Sequence, residues 1–327
     1  MSSATKIYVT RQLPDAALSL LRECGEMRGW EPDEVVPRTV LLQEVQEVDA
    51  LLCMVSERID EELLTYAPRL KVVANMAVGY DNVDVPALTR RRILLTNTPG
   101  VLTETTADLA FTLILGIARR IGEAERLVRE GRWRSWSPFS FLGCDVHHAT
   151  LGILGLGRIG MEVAKRAKGF DMHVLYTNRG RNREAEEHWG CIPVELSTLL
   201  RESDFLIVLV PLTPETRHLL STPQFKLMKP GAFLINAARG PIVDQQALYE
   251  ALRDGLIAGA ALDVTDPEPI PQDDPLLSLE NCLILPHIGS ASIATRTRMA
   301  TLAAENIAAF LAGHRPPTPV NPEVLGK

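Results

Sequence analysis

The segment T-L-G-I-L-G-L-G-R-I-G, from Thr150 to Gly160, decides how this chain is read. Leu151, Ile153 and Leu154 form an apolar run of the kind that fills a strand buried on both faces. Gly155-Leu156-Gly157-Arg158-Ile159-Gly160 follows, after which Ile159, Val163, Ala164 and Ala167 recur at helical spacing. A strand, a glycine turn and a helix in that order suit a dinucleotide pyrophosphate. The first glycine permits the tight turn, the second lets backbone approach the phosphates, and the third lets the helix pack on its strand with its N-terminus toward the anion.

Just downstream, Met172 to Tyr176 reads as the next strand, at whose end an NAD-binding chain usually carries Asp or Glu for the adenine ribose hydroxyls. Here Thr177-Asn178-Arg179 stands instead, followed by Arg181 and Arg183. A carboxylate would repel a 2′-phosphate, whereas a guanidinium binds one bidentately. NADP(H) is therefore favoured, with NAD(H) as the alternative cofactor. The structural alternative is a solvated basic turn before the acidic helix Glu184 to Glu187.

The chain has 327 residues, enough for two domains with full cores. With 34 Lys plus Arg against 41 Asp plus Glu, the net charge of -7 argues against nucleic acid as a partner. Five cysteines, with no C-x-x-C pair, read as reduced thiols of a cytoplasmic protein, and no metal site is expected. No signal peptide is read at the N-terminus, and stretches such as Phe205 to Pro211 are too short to span a membrane.

From Lys6 to Thr96, strand-like runs (Ile7 to Val9, Ala50 to Met54, Leu70 to Ala74, Ile93 to Leu95) alternate with helical ones (Asp15 to Glu23, Asp60 to Tyr66, Val85 to Arg91). That is the pattern of a small parallel α/β domain without a phosphate fingerprint. One long helix is expected over Thr103 to Glu130, with a capping box at Thr105 to Asp108 and Gly131 as its stop. The following stretch carries Trp133, Trp136, Phe139 and Phe141, which suit a core-covering loop, a subunit contact or a substrate wall. Alternation then resumes, with strands at Phe205 to Val210, Ala232 to Asn236, Ile257 to Leu262 and Leu283 to Leu285. A last helix, Ser292 to Leu311, precedes a proline-rich tail.

The expected fold is α/β with two doubly wound parallel sheets. A Rossmann-type cofactor domain (100–291) is inserted into a smaller flavodoxin-like substrate domain (1–99 with 292–327).

Three polar residues stand at the ends of later strands, where open α/β sheets place their ligands. Arg239 follows Ile235-Asn-Ala-Ala; a guanidinium there faces an anion or a structural ion pair. Glu268 lies between Pro267 and Pro269, and taken alone it reads as a solvated acidic turn. His287, in Leu285-Pro-His287-Ile-Gly-Ser290, taken alone reads as a core or capping residue. Together they fit reduction of a 2-keto acid. Arg holds the carboxylate and carbonyl oxygen, His delivers a proton, Glu orients the imidazole, and a nicotinamide supplies the hydride.

In this order, G-L-G-R-I-G, I-N-A-A-R-G, L-D-V-T-D-P-E-P and L-P-H-I-G-S-A resemble the D-isomer-specific 2-hydroxyacid dehydrogenase family. G-R-W-R-S-W-S-P, Y-T-N-R and D-D-P-L-L-S-L-E-N-C-L-I-L-P-H-I-G-S-A are similar to its glyoxylate/hydroxypyruvate reductase branch. The resemblance runs from about Lys71 to the end of the last helix. It implies that Arg239, Glu268 and His287 are catalytic, and that backbone around Ala77, Val78 and Gly79 receives the substrate carboxylate. It places Gly155, Leu156, Gly157, Arg158, Ile159, Gly160, Thr106, Val210, Pro211, Leu212 and Thr216 at the cofactor. Ala237, Ala238, Arg239, Asp263, His287 and Gly289 join them there, beside the phosphate-reading Asn178, Arg179 and Arg181. Ser290 falls where the branch contacts a substrate hydroxyl, and Trp136 where an aromatic of a neighbouring subunit closes the pocket, implying a homodimer built through Thr103 to Phe141. Formate dehydrogenases of the superfamily carry Gln in place of Glu268.

The reading that follows is an NADPH-preferring reductase of glyoxylate, hydroxypyruvate or another small 2-keto acid. Its rivals are a D-2-hydroxyacid dehydrogenase for a bulkier acid and a dinucleotide-sensing binding protein on the same fold.

Overall fold

β1 (Lys6–Val9), α1 (Asp15–Cys24), β2 (Glu26–Gly29), α2 (Arg38–Glu44), β3 (Ala50–Cys53), α3 (Glu61–Tyr66), β4 (Val72–Asn75), α4 (Val85–Arg90) and β5 (Leu94–Thr96) alternate along the first part of the chain. The computed structural model describes residues 4–326. It divides into two units, one running to Leu102 and resuming at Ala291, the other spanning Thr103–Ser290.

In the first unit the five strands pair in parallel in the order β2-β1-β3-β4-β5, the flavodoxin-like arrangement, and Thr96 of β5 adds an antiparallel bridge to Pro319. β3, β4 and β5 are buried along their whole length, which is why they read as unbroken apolar runs. β2, Glu-Met-Arg-Gly, escaped sequence reading together with α2. It is a largely exposed edge strand, held by backbone pairing with β1 rather than by apolar side chains.

The second unit contains α5 (Thr103–Ala118), α6 (Ile121–Arg129), β6 (Thr150–Leu154), α7 (Arg158–Lys168), β7 (His173–Thr177), α8 (Arg183–Trp189), β8 (Ile192–Pro193), α9 (Leu196–Glu202), β9 (Phe205–Val208), α10 (Thr222–Phe225), β10 (Phe233–Asn236), α11 (Gln245–Arg253), β11 (Gly259–Leu262) and β12 (Cys282–Ile284). Its sheet is parallel with the order β12-β11-β10-β9-β6-β7-β8. Counted from β6 this is the Rossmann order 3-2-1-4-5-6 extended by one strand, with the reversal between β6 and β9. The register aligns the C-terminal residues Leu154 with Thr177 and Val208, Val208 with Asn236, and Asn236 with Leu262 and then Ile284. Loops carrying polar residues therefore leave the sheet along one edge.

The single helix expected over Thr103 to Glu130 is two helices. Arg120 is left-handed at φ 51°, and the Ala118 carbonyl is met by the Cys144 N–H at 3.0 Å. A Cβ on Gly143 would sit 2.1 Å from that carbonyl oxygen, so only glycine permits this approach. No capping box forms at Thr105, because the helix already begins at Thr103; Asp108 instead receives the Nε–H of Arg166 at 2.7 Å. Gly131 does stop α6, at φ 66°: its N–H bonds Val128 O at 3.0 Å while that of Arg132 bonds Leu127 O at 3.1 Å, the paired signature of a Schellman end.

α12 (Ile293–Leu311), capped by Ser292 through the Thr295 N–H at 3.1 Å, belongs to the first unit. Its buried Ala300, Ala303, Ala304 and Ile307 join Ile7, Val9, Leu21 and Val72 in one cluster. Among the described residues no helix is long and apolar enough to cross a membrane.

Candidate functional site

At the aligned edge of the second unit, the first loop is the glycine turn. Gly155 has φ 102°, and a Cβ there would lie 2.7 Å from the backbone of Leu209 and Val210, so the β6 and β9 loops touch through a bare glycine. On Gly160 a Cβ would lie 2.7 Å from Gly155 O and 3.3 Å from Ile153, where helix packs on strand. A Cβ on Gly157 would meet nothing within 4 Å. The middle glycine thus borders open space at the N-terminus of the eleven-residue helix α7, and these residues fit a bound pyrophosphate.

The turn after β7 supports that loop. Asn178 accepts the Leu156 N–H at 2.7 Å and donates to Leu156 O at 3.2 Å, and Asn182 donates to the same oxygen at 3.1 Å. The Asn178 side chain is therefore engaged in shaping the glycine turn. Arg181 forms a two-point pair with Glu186, its Nε 3.0 Å from Oε1 and its Nη2 against Oε2. Arg179 is exposed, and its charge helps hold the Glu215 carboxyl down, after Glu215's hydrogen bonds to Thr213 and to backbone. After β9, Thr216 closes the loop on itself, its hydroxyl donating to Pro211 O at 2.7 Å and accepting from Thr213 N–H at 2.7 Å.

After β10, Asn236 holds the next turn, donating to Arg239 O at 2.9 Å and accepting from Ala238 N–H at 3.1 Å. The Arg239 guanidinium donates to Ala238 O at 2.7 Å. A Cβ on the adjoining Gly240 would overlap Thr265 O at 1.9 Å, so the Arg239 turn lies directly against the loop after β11.

That loop carries Glu268, whose Oε2 lies 2.9 Å from His287 Nδ1 and whose Oε1 accepts the Thr265 N–H at 3.1 Å. A carboxylate can only accept, so Nδ1 bears the hydrogen and Nε2 is the ring atom left to give or take a proton. Both side chains are about one-third exposed, 36% for His287 and 37% for Glu268. His287 itself is left-handed at φ 53°, a conformation that costs a side-chain-bearing residue about 1–3 kcal/mol. Asp263 holds it there. Its carbonyl accepts the His287 N–H at 2.9 Å, and its carboxylate accepts those of Ile288 at 2.7 Å and Gly289 at 2.8 Å. Burial pushes the Asp263 carboxyl above the usual range, against the opposing pull of the Ile288 N–H and of His287. Thr106 completes this corner, 3.4 Å from where a Gly289 Cβ would stand. Ser290 follows directly and is half-buried, while Trp136 is 80% exposed on its loop.

In the first unit, residues 77–79 leave the C-terminal end of β4. Their three carbonyls are all engaged from within: Ala77 O by Thr98 N–H at 2.8 Å, Val78 O by Asn97 at 2.9 Å and Gly79 O by Asn75 at 2.9 Å. Asn82 ties the loop's far end to Met54 O at 3.1 Å and Glu57 O at 2.8 Å. With these carbonyls held inward and the Ala77 N–H given to Asn75 O at 2.8 Å, the N–H groups of Val78 and Gly79, rather than all three expected from the sequence, are the loop's remaining polar face, which is what an anion requires. Sequence reading found this loop but missed the asparagines that hold it. Their only signal was Asn at and just beyond strand ends, where its side chain mimics backbone. Among the described residues no group of three or more His, Cys, Asp or Glu is placed to hold a metal.

Residues 111–289 match the model of the D-isomer specific 2-hydroxyacid dehydrogenase family, NAD binding domain. The glyoxylate reductase of Thermococcus onnurineus (strain NA1) is 50% identical over 324 residues, 98% of this chain and 97% of that one. A crystal structure of a protein from Thermus thermophilus superposes with a TM-score of 0.91 at 46% identity, covering 97% of this chain and all of that one. The NADPH-dependent glyoxylate/hydroxypyruvate reductase of Sinorhizobium meliloti, in complex with NADP and malonate, gives 0.83 at 35% identity over 97% of both chains.

Proposed function

Because the chain belongs to the D-isomer specific 2-hydroxyacid dehydrogenase family and is an NAD(P)-dependent oxidoreductase, we propose that it is an NADPH-preferring reductase of small 2-keto acids, glyoxylate and hydroxypyruvate foremost, returning the 2-hydroxy acids. The observation that carries the reading is the Glu268–His287 pair, set on an edge shared with the glycine turn.

When bound, the nicotinamide supplies the hydride. His287 Nε2 gives the proton that the developing alkoxide requires, and Glu268 keeps the ring oriented and stabilises its charged form. Arg239 holds the substrate carboxylate and carbonyl oxygen as a planar fork. The N–H groups of Val78 and Gly79 receive the carboxylate, and Ser290 contacts the extra hydroxyl of hydroxypyruvate. Gly155, Gly157 and Gly160 cradle the pyrophosphate, while Arg179 reads a 2′-phosphate where a carboxylate would repel it. The name of the Sinorhizobium relative supports both the NADPH preference and the two substrates.

The reading includes a cytoplasmic homodimer. Trp133, Trp136, Phe139, Ile121 and Val128, all more than half exposed, fit burial against a second copy, with Trp136 serving its pocket. Steady-state oxidation of NADPH and NADH with glyoxylate, hydroxypyruvate and pyruvate tests the activity, and mass in solution tests the dimer. Fast NADPH consumption with the first two acids is expected. No turnover with any of the three, despite tight cofactor binding, would move the activity to a bulkier acid or to a sensing role.

A further inference from the structure

The turn from Asn178 to Asn182 carries two arginines of different standing. Arg179 is exposed beside Glu215, whereas Arg181 is already claimed. Both oxygens of Glu186 meet it, and Glu186 is fixed from the other side by the Tyr176 hydroxyl, which donates to Oε1 at 2.6 Å. The Asn182 N–H donates to that hydroxyl oxygen in turn, at 2.9 Å. Glu186 is thus no freely waving surface acid. Its side chain is only 15% exposed, and its carboxyl is held below the usual range by the hydrogen bonds from Arg181 and Tyr176, so it is ionised at neutral pH.

A guanidinium carries five N–H donors and more than one bidentate edge; Glu186 takes the Nε–Nη2 edge of Arg181, offsets its charge and fixes its direction, so a phosphate meets a side chain that is already paired. We propose that Glu186 is a specificity-determining residue that restrains the preference for the 2′-phosphorylated dinucleotide, holding Arg181 in a carboxylate pair so that Arg179 alone reads the phosphate. The proposal rests on the reading of this turn as the ribose-reading turn. A phosphate dianion entering here competes with Glu186 for Arg181 and is also repelled by it. Counting basic residues in the turn therefore overstates the preference.

The experiment is fluorescence titration of the purified protein with NADPH and with NADH, which needs no turnover. Glu186→Gln keeps the side-chain length and an oxygen for the Tyr176 hydroxyl, so the turn keeps its shape; its thermal melt confirms this. In that variant the ratio of the NADH to the NADPH dissociation constant should rise about fivefold, the scale of releasing one two-point ion pair near the surface. In Arg181→Ala combined with Glu186→Gln the gain should vanish. An unchanged or smaller ratio in Glu186→Gln overturns the proposal, and so does a gain that survives loss of Arg181, since that would be charge repulsion without any restraint on Arg181. A native protein that binds NADH more tightly than NADPH would sink the NADPH reading instead, while the change in ratio would still decide the role of Glu186.

Discussion

His287 Nδ1 and Glu268 Oε2 stand 2.9 Å apart although they lie in the loops after two different strands, and the second Glu268 oxygen is occupied by the Thr265 N–H. The carboxylate therefore has one oxygen for the backbone and one for the ring. Glu268→Gln should keep the loop bond and lose the charge, lowering kcat about 10- to 100-fold, while His287→Ala should lower it about 10²- to 10⁴-fold, the usual worth of a general acid. Dissociation constants for the dinucleotide should barely move in either variant. Near-native kcat in His287→Ala would remove that residue from the chemistry.

The glycine turn predicts a contrast. Gly155→Ala meets backbone at 2.7 Å and demands φ 102° of a side-chain-bearing residue, so it should lower the melting temperature by several degrees. Gly157→Ala meets nothing within 4 Å and should fold normally while weakening dinucleotide binding at least tenfold. Paired melts and titrations check both. Equal binding by Gly157→Ala and the parent would mean the open space there is not used.

Arg179→Ala should weaken NADPH binding about tenfold and leave NADH binding almost unchanged, because only the phosphorylated ribose offers a guanidinium a matched partner. Equal losses for the two dinucleotides would show that this side chain does not read the phosphate.

Acid should loosen the first unit through Asp49. Burial alone would raise its carboxyl, but the Lys6 N–H at 3.1 Å, Lys71 at 3.2 Å and Arg69 at 3.0 Å hold it below the usual range. A depressed carboxyl contributes stability that is present above the ordinary carboxylate range and is lost as pH falls through its lowered value. Urea unfolding at pH 7 and pH 3 should show a smaller acid penalty for Asp49→Asn than for the parent. The same penalty in both would place the acid sensitivity elsewhere.

The thiols should be slow to react. Burial raises all five, Cys191 to about 11 and Cys282 to about 12, with Cys24, Cys53 and Cys144 moved the same way. Iodoacetamide at pH 8 should alkylate the folded protein far more slowly than the urea-unfolded chain. Rapid labelling of any one cysteine in the folded state would contradict its burial.

What the sequence made legible follows from where side chains carry the information. Buried strands such as Phe205–Val208 announce themselves because both faces must be apolar, and the glycine turn because no other residue can occupy it. β2 and β8 stayed invisible because edge strands are held by backbone pairing and have no apolar side to show. The break at Arg120 was hidden for another reason: its cause is Gly143, twenty-three residues away, passing against Ala118. Within the site, Glu268 and His287 could be named from their motifs. The service of Asp263 to His287, and of Asn75 and Asn97 to residues 77–79, could not, since each is a bond between side chain and distant or turning backbone.

The first unit is sewn shut by residues made after the whole of the second unit. Asn321 accepts the Leu95 N–H at 2.7 Å and donates to Ile93 O at 3.0 Å, and α12 supplies the apolar floor beneath β1 and β4. During synthesis from the N-terminus, the second unit leaves the ribosome whole while the first still lacks that floor. The half of the chain begun first is thus the half completed second. A nascent chain stopped at residue 290 should protect Leu151 and Ile207 from proteolysis before Ile7 and Val72, and the reverse order would show that β1 to β5 close without their last helix.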